Sequence, residues 1–253
     1  MITIKTPEEI EKLRLGGKIL ADILNELEKF CQENYLIGQL TTMDVSKKAD
    51  QLMKERGVLP AFRNAKPPFP TGLCISVNDE VVHGVPGNKT LKAGDIVGLD
   101  LGVIYLGLYT DAAISIIIGK GERVDEMLAE SAKKALFAGI DKAIIGNTVG
   151  DIGNAIEKNV KDDGFVVIDD YCGHGVGYSV HEDPSVPNYG EPGKGETLEE
   201  GMVIAIEPMI SLRTGETYVD KNGWSVKTAD GENAAHWEHT IAITKNGPVI
   251  LTE

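Results

Sequence analysis

The decapeptide LKAGDIVGLD at residues 91–100 returns 107 positions later as LEEGMVIAIE at residues 198–207. In this register Leu91 falls on Leu198, Gly94 on Gly201, Ile96 on Val203, Leu99 on Ile206 and Asp100 on Glu207. Upstream, the same shift places Thr41 on Thr148, Asp44 on Asp151, Val45 on Ile152 and Gly57 on Gly164. Chance matching of common residues in two α+β stretches is the competing explanation. It is the weaker one, because the glycines and the acid share a single register. Two similar halves imply a pseudo-twofold arrangement in which Asp100 and Glu207 are symmetry mates.

Working outward from the repeat, helices and strands alternate in the order expected of an α+β fold. Thr6-Pro7-Glu8-Glu9 offers an N-cap, a proline at the first helical position and a capping-box glutamate. A helical stripe follows through Ile10, Leu13, Ile19, Leu20, Ile23, Leu24, Leu27 and Phe30. Further helices are expected over Thr42–Arg56, Val124–Ala143 and Thr148–Lys161, with Gly57 and Gly164 stopping the second and fourth. Strands are expected at Asp95–Leu101, Tyr109–Ile118, Phe165–Ile168, Met202–Ile206 and Thr240–Thr244. Lys245-Asn246-Gly247 reads as a hairpin turn into Val249–Leu251. Lys66–Gly72, His83–Gly87 and Gly190–Gly195 read as loops too short to separate domains. The expectation is a single domain over residues 1–253, with halves of about 1–120 and 121–253.

Composition narrows the partners. The 253 residues are 42% hydrophobic and 25% charged, ordinary for a packed core. A net charge of −14 argues against nucleic acid or an anionic membrane as partner, since both need a basic surface. The acids make a solvated face first and metal ligands second. No apolar run reaches the ~20 residues of a membrane helix, and Met1–Leu15 lacks the apolar centre of a signal peptide. Cys31, Cys74 and Cys172 are odd in number and far apart, so reduced thiols in a cytoplasm are expected.

Chemistry gathers on a few residues. Asp100 and Asp111 lie in one apolar stretch, and no Lys or Arg occurs between Val97 and Gly119. A turn around Tyr105 and Leu106 would make the two acids cross-strand neighbours, with Cβ atoms roughly 4.5–5.5 Å apart. Two such carboxylates in apolar surroundings need a shared proton or a cation between them. Glu207 ends the run Met202–Ile206, and Glu238 precedes the strand at Thr240. The five histidines are His83, His174, His181, His236 and His239, and His174 sits in the glycine-rich stretch Gly173–Gly177. His174 and His181 do not form the H-E-x-x-H pair of helical zinc proteases. Four carboxylates with histidine suit a pair of Mn, Fe(II), Co or Zn ions, which can acidify a water and polarise a carbonyl.

Taken together, five motifs resemble the type I methionine aminopeptidases of the pita-bread fold, over essentially the whole chain. They are Val77–Pro86, Gly94–Val97 leading to Asp100 and Asp111, Gly173–Gly177, Ile206–Met209 and Glu238–Thr240. The resemblance implies removal of the N-terminal methionine from nascent proteins and peptides when the second residue is small. It implies metal ligands at Asp100, Asp111, His174, Glu207 and Glu238, with Asp111 and Glu238 bridging two divalent ions. His83 and His181 would face the scissile amide, and Glu207 would also carry a proton to the leaving amine. Phe69, Cys74 and Trp224 match the positions that hold the methionine side chain.

Departures from the family pattern are Ala234-Ala235-His236, where Ser-Ala-Gln is common, and Val180, where an aromatic residue is usual. The first bears on the hydrogen bonding around Glu238 and the second on pocket shape. Alternatives are an X-Pro aminopeptidase or prolidase of the same fold, which usually carries a further N-terminal domain, and a catalytically inactive binding relative. A monomer acting on peptide and nascent-chain N-termini is expected, with ribosome contact left open and no need of nucleic acid or membrane.

Overall fold

The computed structural model describes residues 2–253, and the repeat is legible in its backbone. Helix α1 (Pro7–Asn34) opens on the expected box: the Thr6 hydroxyl accepts the Glu9 N–H, and the Glu9 carboxylate accepts the Thr6 N–H. Helices α2 (Thr42–Glu55) and α4 (Val149–Asp162) both open on a Thr–Asp box, Thr41 with Asp44 and Thr148 with Asp151. Gly57 and Gly164 follow them at φ +67° and +85°. Thr41 bridges Thr90, and Thr148 bridges Thr197. Leu91 N–H donates to Leu40 O, just as Leu198 N–H donates to Asn147 O. Equivalent hydrogen bonds at equivalent positions are what a structural duplication predicts. Helix α3 (Arg123–Ile140) backs the second half as α1 backs the first.

The main sheet is antiparallel and joins both halves. Its order is β1 (Leu59–Pro60), β4 (Ile96–Tyr105), β5 (Leu108–Ile117), β14 (Glu238–Thr244), β9 (Val203–Ile206), β7 (Cys172–Gly175) and β8 (Glu182–Pro187). β2 (Leu73–Val77) adds to β4, and β15 (Gly247–Ile250) adds to β14. Two small sheets complete the strands of the described residues. One is β13 (Ala234–His236), β10 (Met209–Ser211) and β6 (Val166–Val167); the other is β11 (Thr217–Val219), β12 (Val226–Thr228) and β3 (Glu80–Val82). Each half has its own apolar core. Leu20, Ile23, Val45, Leu52, Ile75 and Leu99 pack one of them. Leu128, Leu136, Ile152, Ile156, Ile204 and Ile241 pack the other. The halves meet where β5 pairs with β14, in a short ladder of Glu238 with Ala113 and His239 with Ala112.

Two expectations need correction. The β4–β5 turn is two residues, Leu106 and Gly107, both at positive φ (49° and 82°), the geometry whose twist suits a tight hairpin. Its centre is one residue later than the sequence suggested. Asp100 therefore opposes Ala113 and Asp111 opposes Gly102, so the two acids are diagonal rather than direct neighbours. The glycine-rich stretch around His174, absent from the expected strands, supplies strand β7. Its glycines permit close packing: a Cβ at Gly173 would lie 2.3 Å from Ala205 O, and one at Gly175 2.1 Å from Asp183 O.

Helix α1 reaches the sheet through Gly16 and Gly17. A Cβ at Gly17 would stand 2.1 Å from the Leu251 carbonyl oxygen, a backbone atom that cannot swing aside. Gly17→Ala is expected to cost about 1–3 kcal/mol despite alanine's better helix propensity, read as a lower midpoint in urea or heat. An unchanged or raised midpoint would show that the helix shifts freely over the sheet.

Candidate active site

Register alone brings the expected ligands to the seam. Ala113 on β5 opposes Asp100 on β4 and Glu238 on β14, so only a methyl group stands between two carboxylate-bearing positions. Asp111, two residues earlier on β5, shares that face. Across the seam, His174 on β7 opposes Ala205 on β9, and Glu207 comes two residues after Ala205. All five line one cavity of about 790 Å³, together with His83, His181, Phe69, Cys74 and Trp224. Every site position singled out from sequence is present there.

Within the cavity, ligand atoms of Asp111, His174 and Glu238 lie within 4.8 Å of one another. His174 Nε2 is 3.4 Å from Glu207 Oε1. Asp100 stands outside that group of three, and its carboxyl takes a hydrogen bond from the Cys74 thiol, its cross-strand partner on β2. The His174 Nδ1 lies 3.0 Å from the Gly175 carbonyl, which can only accept. Nδ1 therefore carries the proton, and the Nε2 lone pair is turned to the carboxylates, as in a metal-ligating histidine.

The electrostatics call for a cation. Burial, followed by repulsion from neighbouring acids, holds the Asp100 and Glu238 carboxyls well above the usual carboxylate range. Burial pushes Asp111 and Glu207 up to about 8. No Lys or Arg pairs with any of the four among the described residues. Asp111 Oδ1 and Glu238 Oε1 are buried without a hydrogen-bond partner, a costly state unless an ion completes them. An oxygen-rich donor set with one neutral imidazole fits divalent transition ions.

The remaining residues surround this cluster. His181 stacks edge to face on His174, with ring centroids 4.5 Å apart. His83 follows β3 at φ +56°, a conformation that non-glycine residues rarely adopt and that often marks a functional position. Burial lowers the His83 pKa to about 4 and that of His174 to about 3, so both are neutral donors or ligands near pH 7. Phe69 meets Trp224 edge to face at 5.2 Å, and both pack with Cys74 in an apolar cluster.

That cluster also holds Phe62 and Val180, and the cavity wall includes Tyr171 and Met209. Sequence reading passed over Phe62, Tyr171 and Met209. Phe62 sits in a short 3-10 turn without helical or strand periodicity, so no pattern in the sequence marked it. His236 is buried beside Glu207. Its Nε2 lies 3.5 Å from Glu207 Oε2, so the departure from the family pattern bears on Glu207 as well as on neighbouring Glu238.

Comparison with known proteins agrees with this geometry. A sequence model of metallopeptidase family M24 matches residues 11–245. Methionine aminopeptidase of Aquifex aeolicus is 48% identical over 260 residues, covering 100% of this chain and 99% of that protein. Methionine aminopeptidase 1 of Bacillus subtilis is 39% identical over 254 residues with the same coverage. The crystal structure of the Thermotoga maritima methionine aminopeptidase superposes with a TM-score of 0.95 at 43% identity, each chain wholly covered. The chain belongs to the methionine aminopeptidases of metallopeptidase family M24. A prolidase from Pyrococcus horikoshii shares the fold at a TM-score of 0.75 and 27% identity, but this chain spans only 63% of it. Methionine aminopeptidases match more closely and end to end, so the prolidase alternative is not favoured. The pita-bread fold expected from the motifs is the fold observed. No helix among the described residues is long and apolar enough to cross a membrane.

Proposed function

We propose that this chain removes the N-terminal methionine from peptides and nascent proteins, with a preference for a small second residue, and that it works as a single-domain monomer in the cytoplasm. The observation that carries the reading is the convergence of Asp100, Asp111, His174, Glu207 and Glu238 beside an apolar, sulfur-tolerant slot. Those five residues would hold two divalent ions, which supply Lewis acidity that polarises a carbonyl and acidifies a water.

The protein's own groups do the rest. Phe62, Phe69, Cys74 and Trp224 form a slot that takes an unbranched thioether and excludes water from it. His83 and His181, neutral near pH 7, can donate N–H to the scissile amide and to the oxygen on which charge develops. Glu207, buried between His174 and His236, is placed to take a proton at its carboxylate and release it to the departing amine.

Cleavage of Met-Ala-Ser against Ala-Pro-Ala, with Mn, Fe(II), Co or Zn supplied in turn under anaerobic conditions, tests the reading. Release of methionine from the first peptide and none of alanine from the second is expected. Preference for Ala-Pro-Ala would point to an X-Pro peptidase, and no cleavage with any metal would point to an inactive relative.

A further inference from the structure

The short loop that carries His181 is shaped by one carboxylate. Glu182 Oε1 accepts the backbone N–H groups of Tyr178 and of Ser179, the latter at 2.9 Å. Ser179 Oγ closes the loop further by donating to the His181 carbonyl at 2.8 Å. On its other side, Glu182 Oε2 accepts the Lys5 ammonium at 2.8 Å and the Thr3 hydroxyl. The Lys5 and Glu182 side chains are 1% and 7% exposed, so this is a buried ion pair linking the N-terminal segment to a loop on the cavity rim.

Glycines make the crossing possible. A Cβ at Gly177 would lie 2.4 Å from Lys5 Cε, directly in the path of the lysine stem. At Gly201 a Cβ would meet Lys5 O at 2.9 Å. The segment is tied in place by Lys5 N–H donating to Gly201 O at 2.8 Å. Tyr178 adds a second tie, donating its hydroxyl to Glu9 at 2.9 Å in the first turn of α1. A buried carboxylate that organises a loop loses its counter-charge if Lys5 is removed, and such a group then relaxes toward water, taking the loop with it.

We propose that Thr3–Lys5 is a strap whose ion pair with Glu182 fixes the Tyr178–Glu182 loop and thereby aims His181 into the cavity, making Lys5 and Glu182 positioning residues for the reaction. The inference rests on the substrate-facing role proposed for His181.

Kinetics and exchange test it on the full-length, metal-loaded protein. Lys5→Met keeps the stem but not the charge, and it lowers kcat on Met-Ala-Ser about tenfold to a hundredfold with KM and bound metal unchanged. Lys5→Arg restores most of the loss. In a His181→Ala background, Lys5→Met lowers kcat no further, because the group it aims is gone. Glu182→Gln gives the same pattern and substitutes for Lys5→Met should that variant fold poorly. Wild-type kcat in both variants, or a loss that multiplies with that of His181→Ala, overturns the strap. If His181→Ala alone turns over like wild type, the substrate-facing reading fails instead. The strap is then decided by hydrogen exchange at the Tyr178 and Ser179 amides: faster exchange in Lys5→Met upholds it, and unchanged exchange overturns it.

Discussion

Glu238→Gln is expected to lower turnover by at least about a thousandfold, some 4 kcal/mol of transition-state stabilisation. Glu238 is buried at the seam, next in register to the Ala113 methyl, with Oε1 lacking any hydrogen-bond partner. A carboxamide there has one oxygen to offer and no charge, and its NH₂ group points a donor at a cation. The ions should leave with the activity, and metal analysis of the dialysed variant reads that directly. A variant that keeps both ions and normal turnover would show that Glu238 is not a ligand.

The same change has the opposite effect on the metal-free protein. The folded-state pKa values of these buried acids are raised, so the folded form holds protons that the unfolded form has released. Stability of the metal-free chain should therefore fall as pH rises from the ordinary carboxylate range to about 8, the value to which Asp111 and Glu207 are pushed. Glu238→Gln removes one of the repelling acids. Metal-free Glu238→Gln should melt above metal-free wild type at pH 7.5, with a shallower dependence on pH. A lower melting temperature would mean that the carboxylates are stabilising without metal, contrary to the electrostatics derived above.

His181→Ala is the second large effect, of a different kind. The imidazole stands open to the cavity, edge to face with His174, and partial desolvation holds it neutral. A neutral donor aimed at a developing oxyanion contributes on the order of a hundredfold to a thousandfold in kcat. In the role proposed for it, His181 would contribute nothing to holding the ions. The expected result is that loss in kcat, with bound metal unchanged and KM altered little. Equal losses of metal affinity and kcat would make His181 a ligand or a structural support for His174.

Much of this was legible in the sequence, for physical reasons. The repeat showed because Gly94 and Gly201 occupy positive-φ positions that few other residues tolerate, and because a Thr–Asp box opens both α2 and α4. The candidate ligands stood out because acids placed in apolar strands have no cheap structural use. Residues that act through long-range contact were not legible. Lys5 reads as one of many surface lysines until the fold closes it onto Glu182, 177 positions away. Phe62 carries no periodicity, and the offset of Asp100 from Asp111 depended on which two residues form the turn. Local chemistry was readable; registers and distant partners required the fold.

The most direct test is the stoichiometry of divalent metal bound by the purified chain, titrated anaerobically with Mn(II) or Co(II) and repeated on Asp111→Asn. Two ions per wild-type chain, with binding lost in the variant, is the expected result. A wild-type chain that binds no divalent ion, or an Asp111→Asn chain that still binds two, would contradict a clamp made by these five side chains.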